Sequence, residues 1–162
     1  MNIASELHSD FCRIDNRIKA CKALNEDTDY QLISMLNDQL CVTIVGRLEQ
    51  NIKKIFSGYA SRHSNRKLER SISRLCQQFQ NPNPDKITEL VKLFDSDFGN
   101  QLSVDWKDEA SDGNKIKQMV SIRIKIAHQT TNNSSLTIAK IEAYFRAYKN
   151  VVTLLQQHFL PQ

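Results

Sequence analysis

A chain of 162 residues with 40% hydrophobic content can bury one well-formed core and is too short for two ordinary domains, so residues 1–162 read as one domain. Its 22 basic and 18 acidic side chains leave a net charge of +4, which permits a polyanionic partner yet falls short of the basic excess of dedicated nucleic-acid-binding domains. The four cysteines, Cys12, Cys21, Cys41 and Cys76, make no CxxC pair or Cys/His cluster, and no apolar run approaches the roughly 20 residues of a membrane span; no metal, cofactor, disulfide or membrane contact is expected, and the location expected is cytoplasmic.

Taken in chain order, Ile3, Leu7, Phe11, Ile14 and Ile18 recur every three or four positions and predict a first helix that fades near the polar segment from Asn25 to Asp29. A long second helix is predicted from a cap at Asp27 or Thr28 through Tyr30, Ile33, Leu36, Leu40, Ile44, Leu48, Ile52, Ile55 and Tyr59. The third runs through Leu68, Ile72, Leu75 and Phe79 and is stopped by Asn81-Pro82-Asn83-Pro84, because each proline disfavours helical backbone in the residue before it. A short fourth helix carries Ile87, Leu90, Val91 and Phe94. The segment from Asp97 to Gly113, with Gly99, Trp106 and no clean period, reads mostly as loop. The last two helices span roughly Asn114 to Ala127 and Leu136 to Phe159, around the polar stretch Gln129 to Ser135. No segment alternates as a strand would, so the fold expected is all-α, a bundle of about five to six helices with a long C-terminal one.

The helix from Asn114 to Ala127 holds an anomaly. At about 100° per residue, Ile116, Met119, Val120, Ile122, Ile124, Ile126 and Ala127 sweep an apolar arc, with Lys117, Gln118, Ser121 and Lys125 opposite. Arg123 falls inside that arc. A guanidinium there needs a carboxylate, a subunit interface or a bound phosphate to hold it, unless it snorkels along the edge of the bundle. His128 follows five residues later, about 140° away around a continuous helix, unless the helix ends at Ala127.

The run Arg123-Ile124-Lys125-Ile126-Ala127-His128 resembles the R-x4-6-H motif of the HEPN superfamily, and more closely the R-N-x-x-A-H form of its RiboL-PSP-like branch. Glu49, Lys53 and Lys54 are similar to the E-x3-K-K/R pattern that some of those families carry. The chain departs from the pattern at Ile124, where active members usually have Asn, Asp or His, and at Gln129, where glycine often follows the histidine. The resemblance implies a metal-independent endoribonuclease, the toxin or antiviral-defence effector of a toxin–antitoxin or related system, whose two motifs face one cleft in a homodimer. His128 would then move a proton at the RNA 2′-hydroxyl or the leaving 5′-oxygen, Arg123 would stabilise the charge growing on the phosphate, and Lys125 would be a supporting or RNA-binding position beside them in sequence. A cognate antitoxin or an associated or fused defence protein is the implied protein partner. The alternative is a non-catalytic HEPN module for RNA binding, dimerisation or protein interaction.

Other basic positions carry two readings each. Arg62, Arg66, Arg70 and Arg74 recur every four residues and, if one helix carries them, form with Lys53 and Lys54 a ridge for a phosphate backbone; otherwise they are a solvated face with Glu69 as local partner. Glu49 either pairs with Lys53 one turn on or crosses the core to orient Arg123, the first being preferred narrowly. His8, His63 and His158 read as surface or packing residues, and Tyr144, Phe145, Tyr148 and Phe159 as core or dimer contacts. Trp106 would pack over the core or shape a cleft.

Overall fold

In the computed structural model, residues 3–24, 30–128 and 136–160 are described. They form seven helices: α1 (Ile3–Lys22), α2 (Tyr30–His63), α3 (Arg66–Gln78), α4 (Pro84–Lys92), α5 (Ser96–Asp105), α6 (Asp112–Ala127) and α7 (Ile138–Phe159). The caps expected at Asp27 or Thr28 and the stretch from Gln129 to Ser135 lie outside the described residues.

The 34-residue α2 is the axis, packed against α1, α3, α6 and α7, while α4 and α5 pack on each other and α4 reaches α6. Its stripe Leu40, Ile44, Leu48, Ile52 and Ile55 is almost wholly withdrawn from water, and buried residues from the other six helices join the same cluster. Phe56 sits at the centre of an aromatic group, with ring centroids 4.7 Å from Phe94 and 4.8 Å from Phe159. Tyr148, also fully buried, accepts a 2.7 Å hydrogen bond at its hydroxyl from Asn51 Nδ2 and meets the edge of Phe11 at 5.2 Å. Burial pushes the Tyr148 hydroxyl above the ordinary phenol range. The buried carboxylate of Asp10 faces Arg47 Nη1 at 3.3 Å, tying α1 to α2.

The segment expected to be loop contains a helix. Asp95 caps α5 by accepting from the Phe98 N–H at 2.9 Å, and Phe98, Leu102 and Trp106 turn one face of it toward the core. The Phe98 N–H, together with His158, holds the Asp95 carboxyl below the usual range. Gly99 is no turn signal: a Cβ there would lie 2.9 Å from the Lys92 backbone nitrogen, so glycine is what lets α5 approach α4. Smaller differences are that Pro84 opens α4 at its first turn, that Phe94 follows α4 in a turn, and that Leu136 precedes the α7 cap, Thr137.

No disulfide links the cysteines. Burial raises the Cys41 thiol to about 12 and shifts Cys21 and Cys76 upward as well, whereas Cys12 lies at the surface. A thiol-reactive chromophore at neutral pH should therefore label Cys12 promptly in the native protein and Cys41 only after denaturant is added. Fast labelling of Cys41 in the folded state would contradict its burial.

Candidate functional site

Ser111 starts α6 by accepting from the Asn114 N–H at 3.1 Å, and Ile116, Met119 and Val120 seat its first half in the core. Its second half emerges. Ile122 and Ile126 are half-buried, Ile124 is 37% exposed, and Ser121, Lys125 and Ala127 face outward. The helix ends where the His128 N–H donates to the Ile124 carbonyl at 3.1 Å, with His128 at φ −91° and ψ 4°. His128 is therefore the exposed C-cap, and the rotation of a continued helix no longer fixes its direction from Arg123.

Arg123 is half-buried rather than enclosed. Among the described residues of the chain itself, it is a side-chain amide that holds it. Its Nη1 donates to the side-chain oxygen of Asn81 at 2.9 Å, a residue 42 positions away. An amide oxygen satisfies an N–H donor without cancelling charge, so the guanidinium keeps its pull on an anion.

Asn81 is itself unusual. Its φ of 52° is the left-handed backbone, the one such non-glycine case among the described residues. Its N–H donates to Glu49 Oε2 at 3.2 Å, and Glu49 Oε1 accepts from Lys53 Nζ at 2.8 Å. A continuous path thus runs from Lys53 through Glu49 and Asn81 to Arg123. Glu49 takes the first of its two readings, the pair with Lys53, and it contacts the backbone of Asn81 rather than Arg123 itself. Next along the chain, Asn83 caps α4 by accepting from the Lys86 N–H at 2.9 Å, and Lys86 Nζ donates to the Gln80 carbonyl at 3.0 Å. A strained residue locked by this many contacts marks a place where geometry is imposed.

The other basic positions do not gather here. Lys54 turns to α1 and meets Glu6 at 2.8 Å. The arginine ridge is broken, because Arg62 ends α2 while Arg66, Arg70 and Arg74 lie on α3, beyond the Asn65 cap. Glu69 accepts from Ser61 at 2.8 Å. Among the remaining histidines, His63 stacks on Tyr59 and His8 approaches Cys12. His158 lies 3.8 Å over the Phe98 ring, with Nε2 2.9 Å from the Asp95 carboxylate, a positioned partner that the sequence did not reveal. Tyr144, Phe145, Tyr148 and Phe159 are core residues. Among the described residues no group of histidine, cysteine and carboxylate side chains is arranged to hold a metal, and no helix is long and apolar enough to cross a membrane.

The sequence profile of the RiboL-PSP-HEPN domain matches residues 9–160, which takes in every element of this arrangement. The chain belongs to the RiboL-PSP-HEPN family. Comparison with curated proteins and with solved structures returns no match. Membership of the HEPN superfamily carries an RNA-related role, cleavage or binding, and HEPN domains often dimerise. Within this HEPN domain, Asn81 is the site residue that sequence reasoning missed. Its only signal was an asparagine opening a proline-rich turn, where left-handed backbone is tolerated best.

Proposed function

We propose that residues 1–162 act as one domain, a metal-independent endoribonuclease working as a toxin or antiviral-defence effector, with Arg123 and His128 of two copies lining a composite cleft. The observation that carries this reading is the anchoring of Arg123: a charged side chain fixed by a strained asparagine, on a helix that ends in an exposed histidine, suits a group that must meet phosphate in one orientation. In the step proposed, the RNA 2′-oxygen attacks the adjacent phosphorus as its proton passes to a basic imidazole. The P–O5′ bond breaks as an imidazolium returns a proton to the leaving oxygen. The products are a 2′,3′-cyclic phosphate and a 5′-hydroxyl, so the reaction is balanced without an external reactant. Arg123 donates to the phosphate oxygens as negative charge builds on them.

The exposed aliphatic Ile124 favours a second reading, a module that binds RNA or a protein partner such as an antitoxin without turnover. Incubation of the protein with a mixed RNA pool in EDTA, followed by mapping of 2′,3′-cyclic phosphate ends, separates the two. Cleavage that persists in EDTA and vanishes in both Arg123→Ala and His128→Ala is the result expected. An intact RNA pool, with the protein folded and binding RNA, would leave the second reading in its place.

A further inference from the structure

Between α4, the end of α5 and the first half of α6 lies a cleft of about 330 Å³, lined by Pro84, Asp85 and Thr88 of α4, Ser103 of α5, Trp106 and Lys107 just beyond it, and Asn114 and Lys117 of α6. Its size matches the lower end of small-ligand sites, which begin near ~300 Å³. It lies along the α4–α6 seam: Pro84 and Asp85 follow Asn81 in the same turn, and Lys117 precedes Arg123 on α6 by about 9 Å of helix rise and about 120° of rotation.

The lining combines three chemistries. Trp106 supplies an indole whose position is fixed from behind, since a Cβ on Gly113 would lie 2.3 Å from its Cγ. Lys107 and Lys117 supply exposed positive charge. Asp85 supplies a carboxylate, and Thr88 donates its hydroxyl to the Asp85 carbonyl at 2.9 Å, tying the first turn of α4 together. The second cavity that Trp106 borders, toward Asp112, Asn150 and Leu154, has no basic residue in its lining.

We propose that the first cleft is a base-reading subsite for single-stranded RNA, resting on the RNA-directed reading above. Trp106 stacks on the base, Lys107 and Lys117 hold the flanking phosphates, and Asp85 accepts from donors on the base edge. Guanine offers two adjacent donors, N1–H and the N2 amine, which a carboxylate takes as a pair. Uracil offers one N–H between two carbonyl oxygens that a carboxylate repels. The subsite therefore selects guanine over uracil.

Trp106 is the only tryptophan in the chain, so its fluorescence reads the cleft directly. The full chain would be titrated with 5′-GMP, 5′-UMP and inorganic phosphate. Saturable quenching by GMP, about tenfold tighter than by UMP, with no response to phosphate, is expected. Asp85→Asn should erase the preference for GMP while leaving quenching in place, and Lys117→Ala should weaken both nucleotides several-fold. The Arg123→Ala/His128→Ala double variant, which removes the proposed cleavage chemistry, should still show the GMP response. Active RNA cleavage by wild type with no GMP quenching would overturn the subsite and leave the nuclease standing. Quenching with the stated preference in a protein that cleaves nothing would support the subsite and remove only the nuclease. Equal responses to GMP and UMP, or titrations unmoved by Asp85→Asn and Lys117→Ala, would also overturn it.

Discussion

Arg123→Lys is expected to lose RNA cleavage by roughly 10²-fold, nearly as much as Arg123→Ala, although the charge is kept. The reason lies in the division of the guanidinium: one N–H is committed to Asn81 at 2.9 Å, and in the proposed chemistry the planar fork would present others to a phosphate. A lysine ammonium has neither the plane nor the second nitrogen. Asn81→Gly separates anchoring from strain, because glycine accepts the φ of 52° at no steric cost but has no side-chain oxygen for Arg123. This variant should fold as wild type and lower kcat about tenfold with little change in KM, the pattern of a lost transition-state contact. Asn81→Ala should add a stability loss of about 1 kcal/mol, because its Cβ stays in the left-handed region. Single-turnover cleavage and urea unfolding of the four variants decide the matter. Full activity in Arg123→Lys would mean that charge alone is used, and the Asn81 anchor would lose its role.

Phe56→Ala should be among the most destabilising single substitutions, about 3–5 kcal/mol, equivalent to a fall in Tm of roughly 10 °C. Its ring is fully buried and contacts Phe94 and Phe159, which join the α4–α5 turn and the end of α7 to the axial helix. Truncation leaves a hole between three elements that cannot close without moving two helices. Phe56→Leu should recover most of the loss. A shift under about 1 kcal/mol in Phe56→Ala, measured from the urea midpoint, would show that the surroundings collapse to fill the space.

Periodicity was enough to read six of the helices, since their apolar stripes face a common core and leave a repeat of three and four in the sequence. α5 escaped because two of its features point the wrong way in isolation. Gly99 looks like a breaker but marks a close approach to Lys92, and the four-residue spacing of Phe98, Leu102 and Trp106 is thin against the polar residues between them. The sequence does carry its start signal, the Asp95 cap. At the site, the position of Arg123 on an otherwise apolar face was legible, and so was the requirement that something hold it. The holder was not, because the contact spans 42 residues and depends on the backbone sign of a single asparagine. The arginine repeat failed for a related reason: a spacing of four counts only while one helix lasts, and Ser64 and Asn65 break it between Arg62 and Arg66.

The closure of α7 over α2 also bears on when such a domain can act. Asn51 sits in the middle of the axial helix, and its buried amide donates to Tyr148, 97 residues further on. During synthesis, Lys53, Glu49, Asn81, Arg123 and His128 all emerge from the ribosome ahead of that tyrosine. Until α7 arrives, the stripe of α2 that α7 covers stays wet, and the scaffold that fixes Asn81 relative to Arg123 has lost its largest packing partner. A nascent chain thus carries every residue of the proposed site without the frame that aligns them, which would spare the very message and ribosome producing it.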